Sequence, residues 1–302
     1  MSFWHLPKWH ARYPAAPAEL LRLPLDISAA PANDLHVGGH TSAGRPARQG
    51  RTRSEAHMKS RQWYETLDLL VAQGAIPGVV HRILLWGPPG TGKSGWATWS
   101  ALADRGVHRV TVHRDLAPED LLGQRDLVAG PRGGTGTRWV DGPAVLAMEQ
   151  GSALVLDEIA DECIALRNTF LGLLDDMSLA QITLPTGRIV RPAAGYVVIA
   201  TTNKRPSTLY APLLDRFDII LQCYTPSPGV LQELPAQEQA LLRTCYSRTV
   251  EEAWAPGISA RSVRAYSRLA SKFGQQLAAE VKFGSGATDF LGALATAEAE
   301  GS

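Results

Sequence analysis

Apolar positions along the chain follow two periods. Residues 83–85, 153–156 and 197–200 are short runs without a polar side chain, with the length and β-branched content of strands buried on both faces. Residues 107–112 and 219–221 extend the same pattern at lower density. Between these runs the spacing is helical. Trp63, Leu67, Leu70 and Val71 predict a helix that ends at Gln73 and Gly74. A helix is expected from Pro118, which suits a first turn, another over 142–151 closed by Gly151, and another over 168–177. Residues 181–190 read as a β-hairpin turning at Pro185, Thr186 and Gly187. Beyond Pro226, Pro228 and Pro235 only helical spacing remains, at 236–247, 260–282 and 287–298. In the second of these, Val263, Tyr266, Leu269 and Phe273 share one face and Ser259 is placed to cap the start. Strand–helix alternation followed by helices alone predicts an α/β core with a small helical lid.

Composition divides the chain before it adds chemistry. Residues 1–58 carry Pro7, Pro14, Pro17, Pro24, Pro31 and Pro46 among Ala, Gly, Ser and Arg, and are expected to form an extended or disordered leader. The core is expected over 59–225 and the lid over 226–302. Arg45, Arg48, Arg51, Arg53, Lys59 and Arg61 make the end of the leader basic, yet the whole chain is balanced, with 30 Lys and Arg against 29 Asp and Glu. That balance gives no global pull toward nucleic acid or membrane. Cys163, Cys223 and Cys245 are widely spaced and form no metal-ligand or redox pattern, so a reducing, cytoplasmic setting is expected. No run is long enough to span a membrane.

The chemistry concentrates at the ends of the apolar runs. Gly87, Pro88, Pro89, Gly90, Thr91, Gly92, Lys93 and Ser94 follow the first strand and open a helix, giving G-x-x-x-x-G-K-S in its strand–loop–helix setting. Such a loop turns successive backbone N–H groups toward phosphates at a helix N-terminus. Lys93 is then the partner of β- and γ-phosphates, and Ser94 a ligand of Mg²⁺. The strand over 153–156 runs into Asp157 and Glu158, at the sheet edge where ligands of open α/β folds bind. Asp157 is placed to hold Mg²⁺ and Glu158 to polarise an attacking water. Asn203 ends the next strand, where an amide can orient that water. Residues 123–142, rich in Gly and Arg, are expected to form a long functional loop holding Trp139, either a grip on a partner or an anchor to the core. Arg216, beside Asp215 and near Asp218, would by itself read as a surface ion pair.

Taken in this order, the motifs resemble those of the AAA+ ATPases over residues 62–275. The stretch from Trp139 to Pro143, together with Leu173-Leu174-Asp175-Asp176 and the hairpin after it, is similar to the MoxR group, above all its CbbQ/NorQ branch. The resemblance implies a P-loop NTPase with a five-stranded parallel sheet, using ATP and Mg²⁺. It assigns Lys93 and Ser94 to Walker A, Asp157 and Glu158 to Walker B, and Asn203 to sensor 1. Arg216 becomes an arginine finger reaching into the next subunit, and Arg261 a lid arginine touching the γ-phosphate. Segments 123–142 and 181–191 become the helix-2 insert and the pre-sensor-1 hairpin. It further implies a homo-hexameric ring remodelling a protein client, often through a von Willebrand factor A-type adaptor. Two other readings stand beside it: a nucleic-acid motor or loader, on the basic leader, and a nucleotide-dependent switch with little turnover.

Overall fold

The computed structural model describes residues 62–129, 135–162, 164–232, 234–249 and 258–300. The expected leader, and with it the basic run, lies outside them, as does Cys163. In chain order the elements are α1 (Trp63–Ala72), β1 (Arg82–Trp86), α2 (Lys93–Trp99), β2 (Val107–Thr111), α3 (Pro118–Leu122), β3 (Gly123–Ala129) and β4 (Thr135–Asp141). Then come α4 (Pro143–Gln150), β5 (Ala153–Asp157), α5 (Arg167–Leu173), β6 (Ile182–Thr183), β7 (Ile189–Val190), β8 (Val197–Thr202), α6 (Ala211–Leu214) and β9 (Ile219–Gln222). Helices α7 (Pro228–Leu231), α8 (Ala236–Thr249), α9 (Ala260–Phe273), α10 (Gln275–Phe283) and α11 (Ala287–Glu300) complete it.

Five strands form one sheet in the order β2-β5-β8-β1-β9, and every pairing is parallel. The apolar runs explain why both faces are covered. Ile83, Leu85, Val155, Val197 and Ile199 point to one side, where they pack with Trp63, Leu67 and Trp96 of α1 and α2. Leu84, Leu154, Leu156, Val198 and Ala200 point to the other, against Val145 and Met148 of α4 and Phe170 of α5. Successive residues of a strand face opposite ways, so a run with no polar residue needs a helical layer on each side. The chain leaves the adjacent strands β1 and β8 in opposite senses across the sheet, from β1 toward β2 and from β8 toward β9. A crevice therefore opens beyond the C-terminal end of β1, which is the end carrying the G-x-x-x-x-G-K-S loop.

The C-terminal helices have their own apolar cluster, built from Leu241, Leu242, Val263, Tyr266 and Phe290. Tyr266 meets Phe290 edge-on at 4.7 Å and Phe283 stacks on Phe290 at 4.1 Å between ring centroids. Ser259 caps α9 as expected, its Oγ accepting the N–H of Ser262 at 3.1 Å. The single helix expected over 260–282 is instead two. Gly274 adopts φ +83°, which ends α9, and Phe273 is 54% exposed rather than on the buried face.

Residues 123–142 are also more regular than expected. β3 and β4 pair antiparallel over seven positions, from Gly123 with Asp141 to Ala129 with Thr135. Most of the hairpin is exposed, so it lacks the apolar run that reveals a buried strand. Trp139 is half-buried against the core, and its Nε1 donates to Asp141 at 2.8 Å. Asp141 pairs with Arg188, which lies 3.2 Å from Glu149 of α4. The two inserts are thus tied to each other and to the core, and the anchoring role of Trp139 is the one these contacts favour. The second insert is the expected hairpin, with β6 and β7 joined through Gly187, whose N–H donates to Leu184 O at 2.8 Å.

Candidate active site

A cleft of about 380 Å³ lies at the C-terminal edge of the sheet, between the 87–94 loop, the ends of β5 and β8, and helices α7 and α9. Gly92 is there for steric reasons. It has φ +96°, and a Cβ on it would stand 2.3 Å from Ser227 Oγ. A Cβ on Gly87 would stand 2.3 Å from Cys223 O. Among the described residues no backbone carbonyl takes the N–H of Gly90, Thr91 or Gly92, which leaves three donors for an anion at the start of α2. Segment 223–230 closes over the loop from outside, with Ser227 N–H donating to Thr91 O at 2.9 Å.

The charged groups form a connected array. Lys93, only 5% exposed, donates to Gly87 O at 2.9 Å, Pro88 O at 2.8 Å and Asn203 Oδ1 at 2.9 Å. Burial pulls its pKa down to about 8, against the attraction of Glu158 and Asp157. Asn203 donates from Nδ2 to Glu158 Oε1, so one amide spans lysine and glutamate. Glu158 is the one non-glycine residue with positive φ among those described, at +61°. Such a conformation costs about 1–3 kcal/mol and concentrates at functional sites. Burial raises the Glu158 pKa and the Asp157 charge adds to this, with the Asn203 hydrogen bond opposing.

Asp157 is 7% exposed. Its Oδ1 accepts from Ser94 Oγ at 2.6 Å and from Thr201 Oγ1, and its Oδ2 pairs with Arg109. Burial alone would raise its pKa, but these hydrogen bonds and the Arg109 charge outweigh it and hold the carboxyl below its ordinary value. A hydroxyl and an ionised carboxylate side by side are the hard oxygen donors that Mg²⁺ takes, so Ser94 and Asp157 fit that ion.

The structure thus gathers Lys93, Ser94, Asp157, Glu158 and Asn203 into one cleft, and Arg261 lines it from α9. Arg216 does not line it. Its Nη1 donates to Pro212 O at 2.9 Å, and its Nη2 is 4.0 Å from Asp175. The surface pair expected with Asp215 or Asp218 is absent, because Asp218 is bonded to Arg82. Sequence reasoning missed Arg109, Arg264 and Thr201. Arg109 had a signal, a cation in the middle of a strand; Arg264 lies one turn after Arg261 on the same helix. A larger hollow, of about 580 Å³, sits at the opposite end of the sheet. Its polar side chains are His81 and Arg105, with no carboxylate, and the chemistry favours the smaller cleft.

A glycine-cradled loop before a helix, with a buried lysine, a serine beside an aspartate and a glutamate held by an asparagine, defines a P-loop nucleotide site. Residues 82–217 match the family described as "AAA domain (dynein-related subfamily)", and the five-stranded parallel sheet with its flanking helices is the α/β fold that such a match implies. Relatives with a named source include uncharacterized proteins of Staphylococcus aureus strain USA300 and Staphylococcus haemolyticus strain JCSC1435, 38% and 37% identical over 128 residues. Each alignment covers 41% of this chain and 47% of the relative, so the chain spans about half the length of the curated relatives it matches. Among the described residues no helix is long and apolar enough to cross a membrane.

Proposed function

We propose that the chain is a MoxR-like AAA+ ATPase, in which a ring of identical subunits couples ATP hydrolysis to remodelling of a protein partner. The observation that carries the hydrolytic part is the array Lys93–Asn203–Glu158 beside Ser94–Asp157. In this reading the free N–H groups of the loop and Lys93 bind the β- and γ-phosphates. Ser94 and Asp157 hold Mg²⁺, which when bound supplies positive charge to the phosphate oxygens. Glu158 accepts a proton from the attacking water. Its raised pKa brings it nearer to working pH, where a general base is most effective. Asn203 fixes the glutamate through Nδ2 and gives Lys93 an alternative acceptor when phosphate leaves. Arg261 adds charge from the lid.

A neighbouring subunit supplies Arg216. That this arginine lies outside its own chain's cleft supports an in-trans role. The two tethered hairpins, β3–β4 and β6–β7, are the surfaces offered to a protein client or a von Willebrand factor A-type adaptor. Lys93→Ala is expected to abolish nucleotide binding, whereas Glu158→Gln keeps ATP bound and stops turnover. Binding by calorimetry and phosphate release measure the two. Equal affinity in Lys93→Ala and wild type would refute the phosphate site. Undiminished turnover in Glu158→Gln would remove Glu158 from the chemistry.

A further inference from the structure

Arg109 occupies the middle of β2, opposite Val155 in the parallel register with β5. Asp157 lies two residues further along β5, and the Arg109 side chain runs along the sheet edge to reach it. Four cationic side chains line the cleft, Lys93, Arg109, Arg261 and Arg264, and of these Arg109 forms the ion pair with Asp157. An ionised carboxylate offers about four acceptor positions. Ser94 and Thr201 take two on Oδ1, and Arg109 takes one on Oδ2. A carboxylate as buried as Asp157 requires a compensating cation. Arg109 is placed to supply it.

Mg²⁺ keeps several waters in an octahedral shell and needs room beside its carboxylate. A guanidinium on Oδ2 takes up that room and repels a divalent cation. The Arg109 side chain is 47% exposed, so it can leave into solvent. We propose that Arg109 is a placeholder cation at the metal position: it neutralises Asp157 when Mg²⁺ is absent and must be displaced when the metal–nucleotide complex binds. Arg109 is thus a positioning residue that sets the Mg²⁺ concentration at which the site loads. The inference rests on the Mg²⁺–nucleotide reading of the cleft given above.

The test titrates MgCl₂ into the full chain with a fluorescent ADP analogue, comparing wild type, Arg109→Gln, Arg109→Lys and Lys93→Ala. Removing the competing cation is expected to lower the Mg²⁺ half-saturation in Arg109→Gln about fivefold, the scale of one partly exposed ion pair. Arg109→Lys keeps the charge and stays within about twofold of wild type. Without metal or nucleotide, Arg109→Gln melts below wild type, and MgCl₂ alone restores more of its melting temperature than it adds to wild type. An unchanged or raised half-saturation in Arg109→Gln, with Lys93→Ala still abolishing binding, overturns the placeholder and leaves the nucleotide site standing. Binding indifferent both to Mg²⁺ and to Lys93→Ala removes the nucleotide site itself. If Arg109→Gln fails to fold, a half-saturation in Arg109→Lys at or above twice that of wild type overturns the proposal, and one within the stated range supports it.

Discussion

Asp218 gathers four hydrogen bonds at the base of β1, and replacing it tests how the sheet is fixed beneath the active site. Its Oδ2 accepts the backbone N–H of His81 and of Arg82, each at 2.9 Å, and Nε of Arg82 at 3.2 Å. Its Oδ1 accepts Nη2 of Arg82 at 2.5 Å. The carboxylate is 22% exposed and the guanidinium 16%. Arg82 also donates to Leu174 O at 3.3 Å and lies 3.0 Å from Asp176, which is itself largely exposed. Asp218→Ala leaves two backbone donors and most of a buried guanidinium without their acceptor. Hydrogen bonds to charged groups contribute about 1.5–3 kcal/mol each when buried, and discounting for partial exposure gives a total loss of about 2–4 kcal/mol. For a domain of this size that lowers Tm by about 5–12 °C. Asp218→Asn, which keeps an acceptor of the same shape, is expected to lose about 1–2 kcal/mol.

The pH dependence carries a sign. Burial would raise the Asp218 pKa, but the Arg82 side chain and the His81 and Arg82 N–H groups outweigh it and hold the carboxyl below its ordinary value. A carboxylate with a depressed folded-state pKa stabilises fully above its unfolded value and loses that contribution as pH falls through the folded one. The stability difference between wild type and Asp218→Asn should therefore be level from pH 8 to about 5 and narrow only below the usual carboxylate range. Urea unfolding across that range measures it. A difference under about 0.5 kcal/mol at pH 7 would refute the reasoning, since surface substitutions fall within that band. Nucleotide affinity should stay within about twofold of wild type, because a five-residue strand, some 16 Å, separates Asp218 from the loop.

Two further outcomes follow from the arrangement of inserts and arginines. Trp139→Ala should lower stability by about 2–4 kcal/mol, because the half-buried indole packs on the core and holds Asp141, with Trp139→Phe intermediate; unfolding at full ATP affinity measures this, and an unchanged midpoint would return Trp139 to the role of client grip. Mixing Arg216→Ala with Lys93→Ala should restore ATPase activity lost in each alone, since a mixed ring sets an intact loop beside an intact Arg216; no recovery despite verified subunit exchange would argue against the in-trans role.

The sequence by itself determined the five strands of the parallel sheet, the loop and the acidic pair, because each is a local signal. A run such as residues 153–156 has no polar residue to expose, so it must lie inside a sheet, and the loop glycines mark a phosphate-binding turn by their spacing, although Ser227 and Cys223, which also exclude a side chain there, are visible only in the fold. The resemblance of ordered motifs then assigned Asn203, Arg216 and Arg261, which no spacing distinguishes from ordinary residues. The exposed β3–β4 hairpin was not legible: its strands are held by pairing across the ladder, and residues facing water on both sides carry no period. The break at Gly274 was hidden for another reason, since apolar spacing continues through it and only the lid's packing selects two helices. Which charges meet was decided by tertiary structure alone. Arg82 with Asp218, Arg109 with Asp157, and Asn203 between Lys93 and Glu158 join strands 45 to 136 residues apart in the chain. Such contacts depend on strand order and register, which set β1 beside β9 and β8 and set β2 beside β5, and no local pattern encodes them.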